Sequence, residues 1–133
     1  METSLSGDLR YIFTLLIVFQ IKQFLADYPL QFPFMLRKTA GSWDFLLPLT
    51  LHCLVHAVLT LAICLWFAPS LAWLAVFDFV VHFLMDRFKS GPRYLGRFND
   101  THRQAFWIAL GFDQLVHHLT HLYIIWVILT QNA

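Results

Sequence analysis

Charged residues are scarce in this chain. They make up 13% of its 133 residues, whereas 59% are hydrophobic, and a soluble domain carries about 25% charged residues. Phenylalanine alone occurs 14 times. A domain of this length cannot hide so much apolar surface in its own core, because a small domain buries only about two thirds of its surface. The shortage of charge therefore argues against an ordinary soluble domain and favours lipid as the solvent.

The chain also has few cysteines and a small net charge, and each of these restricts the possible structure or partners of the protein. Cys53 and Cys64 are the two cysteines, and both fall in one apolar run. On one helix they would lie about 16 Å apart, too far for a disulfide. The net charge of +1 argues against nucleic acid as a partner. The acidic start at Glu2 leads us to expect no cleavable signal peptide.

Four apolar runs approach the roughly 20 residues that a membrane-spanning helix needs. We predict an all-α polytopic membrane protein, a single domain of four transmembrane helices in a compact antiparallel bundle. The predicted spans are about 9–28, 45–67, 70–88 and 102–130. Pro29 and Pro69 are expected to end the first and second helices. Ser70 is expected to cap the third helix, and Thr101 with Gln104 to form a capping box for the fourth.

Lysine and arginine are distributed unevenly between the two sides of such a protein. One side has Arg10 alone. The other side has Arg37, Lys38, Arg87, Lys89, Arg93, Arg97 and Arg103. The positive-inside rule then predicts a plasma-membrane protein with residues 29–44 and 89–101 in the cytoplasm and both termini outside.

Polar residues recur at helical spacing inside all four runs. The stripes are Gln23-Asp27-Gln31, His52-His56, Asp78-His82-Asp86 and Asp113-His117-His121. Residues four apart share one face of a helix. An ionisable side chain at the bilayer centre costs roughly 2.5–3.5 kcal/mol, so we expect the four stripes to face a common axis. Their common layer is predicted in the cytoplasmic half, with Asp78 and His121 deeper.

Histidine and aspartate facing each other across helices are typical ligands of a divalent metal, with zinc or manganese favoured. The candidate ligands are His52, His56, His82, Asp86, Asp113 and His117. Asp27 and Asp113 are the candidate catalytic carboxylates, with Asp27 as a ligand or general base. A metal would also offset the cost of burying several carboxylates.

Such a metal would make hydrolysis chemically accessible, because a bound divalent ion activates water near neutral pH. Lys89, Arg93 and Arg97 follow the third helix and are candidates for holding a substrate phosphate. The pattern thus favours a metal-dependent hydrolase of a lipid-linked or phosphorylated substrate.

Two other interpretations remain open. The polar residues could instead fix helix packing through direct His–Asp hydrogen bonds, which average about 0.6 kcal/mol in membranes; His118 and His121 fit this better than a ligand role. The protein would then act without catalysis, as a phage-type regulatory factor that binds another membrane protein or its own copies. A proton or ion transporter is the second alternative, although residues 11–19 and 59–67 are nearly all apolar.

Four segments in order carry a family resemblance. They are residues 24–31 (FLADYPLQ), 51–56 (LHCLVH), 82–89 (HFLMDRFK) and 113–117 (DQLVH). From about residue 16 to 128 the chain resembles the bacterial and phage membrane family catalogued as domain of unknown function 3307. The resemblance implies a multi-span membrane protein without an established activity, and we expect it in the bacterial inner (plasma) membrane. That family commonly has histidine where this chain has Gln23. More remotely, the chain is similar to families described as membrane-bound metal-dependent hydrolases.

Overall fold

The computed structural model describes residues 2–35, 43–90 and 97–131 of the chain. Within these ranges the structure is all-helical and contains no strand. Its four α-helices are α1 (Glu2–Asp27), α2 (Leu46–Phe67), α3 (Leu74–Ser90) and α4 (Gln104–Gln131). Short 3-10 helices at Trp43–Phe45 and Pro69–Leu71 precede α2 and α3. The predicted all-α class with four helices is confirmed.

Prolines determine where the first two helices stop. α1 ends at Asp27, two residues before Pro29, because proline disfavours helical geometry in the residue that precedes it. α2 ends at Phe67, after which the backbone N–H of Ala68 donates to the carbonyl of Cys64 at 2.7 Å. Pro69 then prevents continuation. Both ends lie close to the positions predicted from the sequence.

The starts of α3 and α4 differ from the prediction. Ser70 is not the cap of α3, because it lies inside the 3-10 helix Pro69–Leu71 and α3 begins at Leu74. Proline fits the first position of such a short helix, since its missing N–H is not needed there. Thr101 likewise lies outside α4, which begins at Gln104, so the predicted capping box does not form.

In the part of the chain that the structure describes, two helical segments are long and apolar enough to cross a membrane, Leu5–Asp27 and Trp43–Phe67. α1 itself begins at Glu2 rather than at Leu9, because backbone hydrogen bonding continues a helix beyond its apolar stretch. α3 has 17 residues, at the lower limit for a span. By length and hydropathy together, the segments of α1 and α2 are therefore the candidate membrane spans among the described residues.

The four helices pack as neighbours around a shared interior. α1 contacts α2 and α4, and α3 contacts the same two helices. The connection between α2 and α3 is only residues 68–73, so these two helices run in opposite directions side by side.

The shared interior has two chemically different halves. One half is an apolar layer of buried side chains that includes Leu15, Phe19, Ile63, Leu74, Ile124 and Ile128. The other half contains buried polar side chains from every helix, with Gln23, His56, His82 and His117 as examples. The polar half is the one in which α1 and α3 end and α2 and α4 begin. The sequence stripes are thus turned inward, and they gather toward one end.

Phe19 and Phe13 allow a test of this packing within one helix. Phe19 is completely buried in the apolar layer, whereas Phe13 is 59% exposed. We expect Phe19→Ala to lower the free energy of unfolding by about 3 kcal/mol because it leaves a cavity. Phe13→Ala should change it by less than about 1 kcal/mol. Unfolding in mixed detergent micelles measures both values, and equal losses would contradict the assigned faces of α1.

Candidate metal centre

Six polar side chains meet at the polar end of the helices, and we call them the cavity site. They are Asp27, His52, His56, Asp86, Asp113 and His117. Every helix contributes at least one of them: Asp27 is the last residue of α1, and Asp86 lies in the last turns of α3. All six are buried except Asp27, whose side chain is 23% exposed.

The first part of the cavity site joins α1 to α2. Asp27 Oδ1 lies 2.9 Å from His56 Nε2 and 3.6 Å from His52 Nε2. The two imidazoles come from positions four apart on α2, so they reach the same carboxylate from one helix face. Gln23, one turn before Asp27, donates its amide N–H to Asp27 Oδ2 at 2.6 Å. This contact holds the carboxylate in place.

The second part joins α3 to α4. His117 Nε2 lies 2.9 Å from Asp113 Oδ1 and 3.2 Å from Asp86 Oδ1. The other oxygen of Asp86, Oδ2, lies 3.2 Å from His52 Nε2 in the first part. Asp86 therefore connects the two parts through its two oxygens.

These contacts have the geometry of direct His–Asp hydrogen bonds, which is what the structural interpretation predicts. The same separations also suit ligands of one ion. Bonds of about 2.1 Å place neighbouring ligands about 3.0 Å apart around an octahedral ion and about 3.4 Å apart around a tetrahedral one. The observed range is 2.9–3.6 Å. The residues therefore fit a divalent metal without rearrangement of the helices.

A cavity of about 160 Å³ adjoins the site. Its walls include Asp27, Asp86, Asp113 and His117, so four of the six side chains border the space. Lys89, on the last turn of α3, also lines it, and its Nζ lies 3.4 Å from Asp113 Oδ2. The Lys89 side chain is 34% exposed, which gives the cavity a partly accessible cation beside the carboxylates.

A second polar group lies further into the helices, and we call it the deep cluster. It consists of Lys22, Thr60, Asp78, His82 and His121. Lys22 Nζ lies 2.9 Å from Asp78 Oδ2 and 3.0 Å from His121 Nε2. Because a lysine ammonium only donates, both atoms accept from it. The hydroxyl of Thr60 donates to the same oxygen of Asp78.

The deep cluster thus has its own cation. Asp78, His82 and His121 offer ligand atoms close enough together to hold an ion, but the ammonium of Lys22 already compensates the carboxylate. Lys22 and Asp78 are both almost fully buried, at 3% and 0% exposure. Such a pair is costly to break, because the remaining partner becomes an uncompensated buried charge.

His82 links the two groups. Its Nδ1 lies 2.7 Å from Asp78 Oδ1, and its ring centroid lies 4.0 Å from that of His56 and 4.1 Å from that of His117. Metal-bound imidazoles usually donate their second ring nitrogen to an outer partner. Nδ1 of His56 and of His117 has no such partner among the described residues. The rings of both histidines lie against the ring of His82 instead.

The structure brings together six of the seven residues predicted as ligands or catalytic groups, and their chemical roles remain predictions. His82 is the exception, since its side chain groups with Asp78 and His121. Of the predicted phosphate-binding residues, Lys89 lines the cavity. Arg97 lies elsewhere, with its guanidinium over the ring of Phe98 in a separate pocket. Arg93 lies outside the described residues.

Sequence reasoning missed Lys22 and Thr60. A usable signal existed for Lys22, because it is an isolated lysine within the apolar run of α1 and such residues pair with a buried partner. Thr60 gave no signal, since threonine is common in helices of this kind and its partner Asp78 comes from another helix. Gln23 was recognised as a departure from histidine, but its contact with Asp27 required the structure.

The Lys22–Asp78 pair can be tested by a double-mutant cycle. We expect Lys22→Met alone to lower the free energy of unfolding by about 3–5 kcal/mol, because Asp78 stays buried without its cation. The double variant Lys22→Met/Asp78→Asn should recover much of this loss. Arg10→Met, an exposed position on the same helix, should stay within about 0.5 kcal/mol of the parent. Additive losses in the double variant would refute the pair.

No curated protein and no solved structure matches the chain, and the remote likeness to hydrolases is not shown. Residues 13–133 match the model of the family described as Protein of unknown function (DUF3307). The match extends through all of α2, α3 and α4 and includes every residue of both polar groups. The chain therefore belongs to the DUF3307 family.

Proposed function

We propose that this protein spans the membrane four times and uses a divalent metal, zinc or manganese, to hydrolyse a lipid-linked or phosphorylated substrate. The main support for this proposal is the cavity site. It brings three carboxylates and three imidazoles from four helices beside a cavity that is also lined by Lys89. Neither helix packing nor a soluble core needs so many buried ionisable groups around an accessible space.

The proposal that the protein spans the membrane is supported by the distribution of its side chains, which is the reverse of that in a soluble protein. The interior of the polar half is ionisable, whereas large apolar side chains cover the outside of all four helices. Exposed examples are Phe13, Ile17 and Ile21 on α1, Leu54 and Val58 on α2, Val76 and Leu84 on α3, and Ile108, Leu115 and Leu119 on α4. A soluble protein rarely exposes such continuous apolar patches. Lipid would cover them on α3 and α4 as well as on the two helices that pass by length and hydropathy.

The proposed orientation puts the cavity on the cytoplasmic side. The cavity lies where α1 and α3 end, next to the segments 29–44 and 89–101 that contain most of the lysine and arginine. A substrate with its apolar part in the bilayer could present an anionic headgroup at this depth. Lys89 is the side chain placed to attract it.

The residues of the site divide into distinct chemical tasks. His52, His56, Asp86, Asp113 and His117 are the proposed ligands, and Asp27 is the residue best placed to act as ligand or general base, since it is the most exposed carboxylate of the site. When bound, a divalent ion would supply a Lewis acid and activate water for attack. Gln23 fixes Asp27, and Lys89 neutralises charge on the anionic substrate.

The transport interpretation is opposed by the apolar layer. Leu15, Phe19, Ile124 and Ile128 are fully buried beyond the deep cluster, so the polar groups have no continuation among the described residues at that end. The non-catalytic interpretation draws its support from the deep cluster, whose Lys22–Asp78 pair serves packing. The direct His–Asp contacts of the cavity site also agree with it, but it leaves the adjoining cavity and Lys89 without a role.

Topology can be tested with engineered cysteines, because Cys53 and Cys64 are both fully buried. Ser6→Cys lies near the N-terminus and Asp100→Cys lies before α4, and both positions are exposed. With a membrane-impermeant thiol reagent, we expect Ser6→Cys to react in intact cells and Asp100→Cys only after permeabilisation. Labelling of both in intact cells would contradict the four-span orientation.

Catalysis can be tested with purified protein and a panel of phosphate esters that includes lipid phosphates. We expect hydrolysis that requires Zn²⁺ or Mn²⁺, is abolished by a chelator and falls by about 100-fold in His56→Ala, which removes a ligand. His118→Ala is the matched control, since this half-buried histidine on α4 lies outside both polar groups. Metal-independent turnover, or full activity in His56→Ala, would refute the proposal.

A further inference from the structure

The cavity site contains two separate sets of ligand atoms rather than one. Asp27, His52 and His56 form the first set, and Asp86, Asp113 and His117 form the second. Within each set the ligand atoms lie within 4.8 Å of one another. Each set mixes carboxylate oxygen with imidazole nitrogen, the combination that zinc and manganese accept.

One carboxylate spans the two sets. Asp86 Oδ1 lies 3.2 Å from His117 Nε2, and Asp86 Oδ2 lies 3.2 Å from His52 Nε2. A carboxylate whose two oxygens face ligands of different sets is the usual connector of paired metal ions in helical proteins, where the ligands come from facing helices. Two-ion centres of this kind clamp the attacking and leaving oxygens in phosphoryl hydrolysis.

Charge also favours two ions over one. Asp27, Asp86 and Asp113 together bring three negative charges into an apolar protein. With Lys89 included, one divalent ion would leave the group neutral, and two divalent ions would leave +2, which attracts an anionic substrate. Buried carboxylates are costly without a cation close by, and Lys89 is 34% exposed and, among the described contacts, touches only Asp113 of the three, so a second divalent ion is favoured.

The deep cluster differs from the cavity site in how tightly its lysine is held. Its Asp78, His82 and His121 form a third set, but Lys22 Nζ lies within 3.0 Å of two of these side chains. In the second set of the cavity site Lys89 makes the comparable contact, with its Nζ 3.4 Å from Asp113 Oδ2 at the edge of the cavity. Lys22 is locked in place by burial, whereas Lys89, 34% exposed, can leave when a stronger cation arrives.

We infer that the cavity site holds two divalent ions, one on Asp27, His52 and His56 and one on Asp86, Asp113 and His117, with Asp86 shared between them. This inference rests on the proposed metal-dependent function. The second ion lies on the wall of the cavity and displaces Lys89 from Asp113. Lys89 then becomes available to the anionic group of the substrate. The same side chain therefore weakens the binding of the second ion and recruits the substrate.

The test is a titration of chelator-stripped full-length protein with Mn²⁺, followed by metal analysis after desalting and by electron paramagnetic resonance. We expect two ions per chain and the spectrum of a magnetically coupled pair. Asp113→Asn, which nearly preserves shape, should retain one ion and lose the coupling. His118→Ala should retain both ions, as the matched control.

Lys89→Gln provides a second readout that does not depend on core substitutions. Removal of this partly exposed ammonium should tighten the weaker Mn²⁺ site by about fivefold and leave the tighter one unchanged. One ion per chain, with no effect of Asp113→Asn or Lys89→Gln, would overturn the two-ion inference and leave the proposed function intact. No bound ion in the parent protein would overturn both.

Discussion

A carboxylate buried among apolar side chains requires a cation, and this requirement organises the interior of the protein. Asp78 meets it within the chain, because Lys22 from α1 lies 2.9 Å away and Thr60 from α2 donates to the same oxygen. The pair and its neighbours draw all four helices together. Beside the carboxylates of the cavity site, Lys89 is 34% exposed and lies 3.4 Å from Asp113. Imidazoles and a divalent metal are the partners that their arrangement suits.

The apolar outer surface of the helices follows from the same need of the carboxylates for partners inside the protein. With the polar groups turned inward, the helices leave large apolar side chains facing outward, which lipid can cover. The interior then divides by depth into the apolar layer, the deep cluster and the cavity site. The apolar layer closes one end, and the cavity opens the other end beside Lys89. This order agrees with the proposed site, which would admit a substrate from one side of the membrane and would not conduct.

Much of this arrangement could be predicted from spacing. Stripes such as His52-His56 and Asp113-His117 share a helix face whatever the packing, so their inward direction followed from the sequence. The end of α1 followed from Pro29. The start of α3 did not, because Ser70 fits both a cap and a 3-10 turn.

The assignment of His82 also could not be foreseen. Its stripe contains Asp78 on one side and Asp86 on the other, and only the packing of α3 shows that its nitrogen contacts Asp78. Lys22 was visible as an isolated charge, but its partner lies on another helix.

X-ray absorption spectroscopy of the protein, purified without chelator and loaded with zinc, tests directly whether the histidines and aspartates of the cavity site bind a metal. We expect oxygen and nitrogen neighbours at about 2.0–2.2 Å, with the outer-shell scattering of coordinated imidazole. Conversion of His56 to alanine should reduce the imidazole scattering, and conversion of His118 should not. A spectrum of hydrated zinc without imidazole would contradict metal binding at the cavity site and leave it as a network of His–Asp hydrogen bonds.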